Sequence, residues 1–181
     1  MLKYSVIIFL VIFVGFGTLF FESGAPSLVT AQQQWDTYYS PEKRFSIDYA
    51  VPTSNSSALN ITESKDGINI DTGVMIIDVS FTTNPRYNDL SEQAVYTQKH
   101  MQDSGDTVRA TSHPILVDGN LGYSFMTQTT VEGIDGPVLL EYILAQHNGK
   151  TYLIQLIYHV SHLLLSSDEI DQTIESIKFF D

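Results

Sequence analysis

Strict alternation, helical spacing and unbroken apolar runs occupy different stretches of this chain, and together they predict its elements. In residues 44–49, Phe45, Ile47 and Tyr49 fall on one side and Arg44, Ser46 and Asp48 on the other, the pattern of a half-buried strand. Residues 52–57 are turn chemistry, and short extended pieces follow at 58–62 and 67–70. Residues 74–82 alternate again. Met75, Ile77, Val79 and Phe81 form one face, Val74 and Ile76 make the other partly apolar, and Asn84-Pro85 ends the run. Residues 108–117 are extended but interrupted by Pro114, which predicts an edge or a bulge. The turn Asp118-Gly119-Asn120 leads into residues 121–131, where Leu121, Tyr123 and Phe125 share a face.

The most apolar strands are 138–146 and 151–160. His147-Asn148-Gly149-Lys150 joins them, and Asn-Gly is a strong hairpin signal. Tyr152, Ile154, Leu156 and Tyr158 alternate with Thr151, Leu153, Gln155 and Ile157, so both faces of this pair need cover. Two segments have helical spacing. In 90–102 the stripe is Leu90, Ala94, Val95 and Met101, with Asp89 as N-cap, Glu92 three residues on, and Ser104-Gly105 as the stop. In 167–178 the stripe is Ile170, Ile174 and Ile177; Ser166 with Glu169 reads as a capping box, and Leu165 against Ile170 as a hydrophobic staple. This order predicts an α+β domain: one mainly antiparallel sheet with a helix packed on each face.

The first 31 residues follow another pattern. Lys3 gives a short positive head, residues 5–21 are an almost unbroken apolar run, and Val29-Thr30-Ala31 ends in small residues. That is the layout of a secretory signal cut after Ala31. The run falls short of the ~20 residues that span a bilayer comfortably, and Gly15 and Gly17 interrupt it. An uncleaved anchor is the alternative, with membrane contact through residues 1–21. Either way the domain is expected outside the cytoplasm, secreted or membrane-anchored. The expected organisation is a signal peptide or anchor at 1–31, a polar entry segment at 32–43, and a domain at 44–181.

Composition narrows the partners. The formal net charge of −12 repels phosphate backbones, so no nucleic-acid partner is expected. The lack of cysteine removes disulfides, thiol catalysis and cysteine-ligated metal. Sequons at Asn55 and Asn60 fall in a polar loop that an exported chain would expose to glycosylation.

Three stretches resemble the PsbP-like family, whose fold also includes the Mog-type Ran-binding proteins. They are Tyr39-Ser40-Pro41-Glu42-Lys43-Arg44-Phe45-Ser46-Ile47-Asp48-Tyr49, Gly122-Tyr123-Ser124-Phe125, and Asn148-Gly149-Lys150-Thr151-Tyr152-Leu153-Ile154 with the closing Ile177-Lys178-Phe179-Phe180. The likeness spans about residues 35–181. Two features depart from the family pattern: the proline expected directly after Tyr49 is Pro52, and the usual following tryptophan is missing. The resemblance implies a PsbP-like α/β/α sandwich and a non-catalytic exported module that docks on other proteins. It implies no attachment to a photosystem.

Candidate chemistry is sparse. His159 and His162 are three apart at a strand end, with no third ligand at a recognisable spacing; His113 and His147 are isolated. Asp168, Glu169 and Asp171 are expected to complement the dipole in the first turn of the last helix. Asp66-Gly67 through Asp71 and Asp118-Gly119-Asn120 lack the spacing of a calcium loop. Gly122-Tyr123-Ser124-Phe125-Met126 lacks the second glycine of a nucleophile elbow, and Gly149-Lys150 has no phosphate-binding loop before it. Trp35, Tyr38 and Tyr39 either pin the N-terminus by packing down or offer a surface to a partner. No catalytic, cofactor or metal residue is assigned.

The expected function is therefore a non-catalytic binding or assembly module at the outer face of a membrane. The alternatives are a secreted hydrolase or metal-dependent enzyme built from scattered His and Asp/Glu, and a solute-binding domain with a closed apolar cavity between sheet and helix. Export with cleavage predicts that the mature protein, sequenced from its N-terminus, begins at Gln32; a sequence beginning at Met1 would establish the anchor instead.

Overall fold

The computed structural model describes residues 34–51, 59–131, 135–159 and 163–181, with side chains from residue 168 onward in the last segment. The expected leader and its cleavage site, the sequon at Asn55, and His162 lie outside the described residues. In chain order the elements are β1 (Gln34–Ser40), β2 (Phe45–Val51), β3 (Asn60–Ser64), β4 (Gly67–Asp71), β5 (Met75–Thr82), α1 (Leu90–Asp103), β6 (Thr107–Val117), β7 (Asn120–Thr130), β8 (Pro137–His147), β9 (Lys150–His159), α2 (Leu163–Ser176) and β10 (Lys178–Phe179). They form a seven-stranded sheet of order β3-β4-β5-β9-β8-β7-β6 and a three-stranded sheet of order β1-β2-β10. The pairings in both sheets are antiparallel.

The alternation seen in the sequence sets the register. Met75, Ile77 and Val79 of β5 are buried and lie opposite Tyr158, Leu156 and Ile154 of β9. Leu139, Ile143 and Ala145 of β8 join these residues in one core cluster; Tyr142 and Leu144, on the alternate positions of the same strand, belong to a second. The first cluster takes in Tyr38, Phe45, Ile47 and Tyr49 of the small sheet and Ile170 and Ile177 at the end of the chain. The second takes in Ala94 of α1 and Phe125 of β7, whose ring stacks on Tyr142 at 4.6 Å. The β8–β9 turn has Asn148 at φ 46° and Gly149 at φ 72°, the left-handed pair that a two-residue hairpin turn requires. β6 is the edge strand anticipated from Pro114, with register shifts between Val108 and Ala110 and between Ala110 and His113.

Three sequence expectations need correction. The single expected sheet is two, because β2 pairs with β1 and β10 rather than joining the seven-stranded sheet. The last helix begins at Leu163 rather than 167, so Leu165 and Ser166 lie inside it and not ahead of its first turn. The apolar run Leu163-Leu164-Leu165 continues the Ile170 and Ile174 pattern upstream, and that hydrophobic continuity outweighs the capping signature. The helix also ends at Ser176, because Lys178 and Phe179 pair with Ser46 and Phe45 as β10. Within residues 32–43, Gln34–Ser40 is a full strand, its polar residues standing opposite β2 in a seven-residue ladder. Tyr38 packs into the core, while Tyr39 stays exposed with its ring 5.1 Å from that of Phe180.

The C-terminal strand is held from several sides. The Phe179 amide donates to Asp118 Oδ2 at 3.0 Å, and Lys178 Nζ lies 3.2 Å from Asp118 Oδ1. The Phe180 amide donates to the Arg44 carbonyl at 3.0 Å, and the His147 ring stacks on Phe179 at 5.4 Å. Burial works against the Asp118 charge, but the Phe179 amide and Lys178 hold its carboxyl below the usual range. Asp118→Ala is expected to cost about 1–3 kcal/mol in urea unfolding, the cost of leaving a half-buried amide unpaired. Because the folded pKa is lowered, this contribution is present above the unfolded aspartate value of about 3.9 and fades as pH falls through the folded value. The wild-type and variant unfolding curves should therefore converge in acid.

Candidate functional site

The structure spreads the histidines and acids of the sequence over separate places. His113 lies on the β6 edge, its Nδ1 3.0 Å from the Thr111 carbonyl oxygen. His147 Nε2 lies 3.2 Å from the Phe180 carbonyl oxygen and 3.5 Å from Asp181, so it belongs to the C-terminal latch. His159 Nε2 contacts the Asp135 carbonyl oxygen. Among the described residues no three His, Asp or Glu side chains cluster as a metal site would need. Asp168, Glu169 and Asp171 sit in the second and third turns of α2 rather than the first, beyond the reach of the helix dipole. Asp71 caps its own turn, accepting from the Gly73 amide at 2.8 Å, and Asp118 serves the latch. Ser124 is buried within β7, not at a strand-to-helix turn, as rejection of the nucleophile elbow requires. Lys150 Nζ lies over the Phe81 ring at 4.6 Å.

One polar group in the core has no counterpart in the sequence reading. Glu141 of β8 is half-buried and accepts a hydrogen bond from the Ser124 hydroxyl at 2.9 Å. Burial raises its pKa; the Ser124 bond opposes this and Asp171 on α2 adds to it. Nearby, the Tyr158 hydroxyl has no hydrogen-bond partner among the described residues, and burial, Glu141 and Asp171 push it up to about 12. The signal for Glu141 was its position as the one acid within the apolar run 138–146.

A second group surrounds the start of α1. Asp89 caps the helix, accepting from the amides of Ser91 at 2.8 Å and Glu92 at 3.1 Å; the hydrogen bond from the Ser91 hydroxyl, then these amides, lowers its pKa. Just before it, Arg86 lies with its guanidinium 4.3 Å over the Tyr96 ring and 5.8 Å from the Tyr87 ring centroid. Its Nη1 donates to the Tyr96 hydroxyl at 2.7 Å. The Tyr87 and Tyr96 rings are 5.5 Å apart, and His100 stacks on Tyr96 one helical turn further on at 6.2 Å. Val95, 58% exposed, shares the shallow groove that Tyr87 and Tyr96 line. Arg86 also lines a half-open cavity of about 210 Å³ between α1 and the large sheet. It is lined by hydroxyl and amide groups as well as leucines, so it differs from the closed apolar cavity expected of a solute-binding domain. Nothing in the sequence marked Arg86, a loop residue after Pro85.

The arrangement of strands and helices is shared with solved structures. Cyanobacterial PsbP from Synechocystis sp. PCC 6803 superposes with a TM-score of 0.56 at 12% identity, covering 87% of this chain and 98% of that one. LpqN, involved in cell envelope biogenesis of Mycobacterium tuberculosis, gives 0.51 at 13% identity over 83% of this chain and 92% of its own. The Saccharomyces cerevisiae Ran-binding protein Mog1p gives 0.52 at 10% identity, covering 82% and 97%. No protein-family profile and no curated protein matches the sequence. The chain has the PsbP/Mog-type fold.

Glu141 yields a test of the core. A carboxyl whose folded pKa is raised contributes its stability below the unfolded pKa and loses it as pH rises through the folded value. Glu141→Gln keeps an acceptor for Ser124, so it is expected to unfold at a higher temperature than wild type at neutral pH. That gain should disappear in acid, and thermal melts across about pH 3 to 8, spanning the carboxylate range, measure it.

Proposed function

We propose that this chain is an exported, non-catalytic binding or assembly module that docks on a protein partner at the outer face of a membrane. The observation that carries the reading is the outer side of α1. There an arginine and two tyrosines are ordered against one another beside an exposed valine. Arginine and tyrosine dominate the energetics of protein interfaces, since they bring large contact area with little ordering cost. Held by stacking before any partner arrives, these side chains lose little further freedom on binding.

Other features support the same reading. The leader pattern favours export, and among the described residues no helix is long and apolar enough to cross a membrane. Two proteins of this fold are described by a partner or an envelope role, one as Ran-binding and one in cell envelope biogenesis. His113, His147 and His159 each face a backbone carbonyl rather than one another, which favours the docking role over a scattered-residue enzyme. The reading also takes the large sheet as the middle layer of an α/β/α sandwich; the alternating membership of β8 residues in the two core clusters supports this.

A photo-crosslinking residue placed at Val95 in the native cell tests the proposal. A discrete adduct is expected from Val95, reduced by Tyr96→Ala, and none from the same probe at exposed Thr130 on β7. Equal adducts from both positions, or an adduct indifferent to Tyr96, would overturn the docking surface. Protection of the domain from protease added to intact cells would overturn export.

A further inference from the structure

We propose that the cavity between α1 and the large sheet binds a small carboxylate, its charged head on Arg86 and its short aliphatic body over Leu144 and Leu153. The inference shares Arg86 with the proposed docking surface but concerns the cavity that Arg86 lines together with Leu144 and Leu153, which a crosslink at Val95 does not probe. Leu144 and Leu153 supply the apolar floor from β8 and β9. Thr82, Thr97, Thr151 and Gln93 supply a wall of hydroxyl and amide groups. That wall is already ordered: Gln93 accepts from the Tyr87 amide at 3.2 Å, the Thr97 hydroxyl donates to the Gln93 carbonyl at 2.8 Å, and Gln146 donates to Thr151 at 3.2 Å.

Arg86 identifies the head group. Arg86 is the one lysine or arginine in the cavity's lining, and among the described residues no carboxylate pairs with it. One guanidinium donor goes to the Tyr96 hydroxyl, and the ring beneath fixes the plane of the fork. A planar fork with free N–H groups matches a carboxylate in two-point contact. A single cation suits a single negative charge. A phosphate dianion would meet the repulsion of a chain of net charge −12, and Asp89 already occupies the amides at the start of α1. A cavity of about 210 Å³ suits a body of a few carbons. The same chemistry is offered by a free short-chain acid and by the C-terminal leucine of a peptide.

The purified full chain, labelled with nitrogen-15, is titrated with isocaproate and with isocaproamide. Saturable shifts of the Thr82, Gln93 and Thr97 amides are expected with the acid, at an affinity about tenfold or more above the amide, the size of a charged hydrogen bond. Arg86→Gln should abolish that preference, and Leu153→Phe, which fills the floor, should weaken both ligands; circular dichroism checks that each variant is folded. Equal affinity for acid and amide, a preference that survives Arg86→Gln, or no saturable shift with either ligand would overturn the site. N-acetyl-Gly-Gly-Leu with a free terminus provides the second arm. Tighter binding than isocaproate assigns the source to a peptide terminus, and weaker binding to a free acid.

Discussion

Strands β8 and β9 carry apolar side chains on both faces, and neither face can be left in water. On β8, Leu139, Ile143 and Ala145 alternate with Tyr142 and Leu144, all of them buried. A strand of this kind must sit inside a sheet and be covered twice. The central place of the pair in the order β5-β9-β8-β7 meets the first demand. The small sheet and the isoleucines at the end of the chain share a core cluster with Leu139, Ile143 and Ala145, and Ala94 of α1 shares the other with Tyr142 and Leu144. Tyr152 ties the layers together. Its ring lies 4.6 Å from Phe179, 5.9 Å from Phe81 and 6.2 Å from Phe45, and its hydroxyl donates to the Lys43 carbonyl at 3.1 Å. Such ring contacts add about 0.5–1.5 kcal/mol each beyond the area they bury.

The core placement leaves the polar residues with structural duties. Asp118, in a turn that lacks the spacing of a calcium loop, holds the last strand. His147, which in sequence is a turn residue, stacks against it. Gly122, part of the family-like motif, sits where a side chain would strike the Leu144 carbonyl at 2.9 Å, so its role is close approach of strands. The motifs through which the chain resembles its fold relatives are packing and turn residues, and this is why they speak to architecture and not to activity.

Alternation and turn chemistry carried most of the fold. The strands from Met75 to His159 and helix α1 lie within a few residues of where period and caps put them. The start of α2 was not legible, because a good capping signature inside an apolar helix looks the same as one at its end. β1 was obscured by its polar residues, which an exposed sheet edge tolerates. The surroundings of Arg86 were beyond any local pattern. Tyr96 follows ten residues on in α1, but the floor residues Leu144 and Leu153 come from β8 and β9, and only the packing of α1 on the sheet brings them to Arg86.

The arrangement of the small sheet has a mechanical meaning. β1 and β10 lie on opposite sides of β2 and both run antiparallel to it. Gln34 stands opposite Val51 at one end of β2, and Phe179 stands opposite Phe45 at the other. Tension between the two ends of the domain therefore pulls β1 and β10 in opposite directions along the strand axis. Their ladders are loaded side by side in shear, not peeled open one bond after another. The weak member is the two-residue β10, so under load the grip on the last residues by Asp118 and the Arg44 carbonyl becomes the point at which the domain holds or lets go.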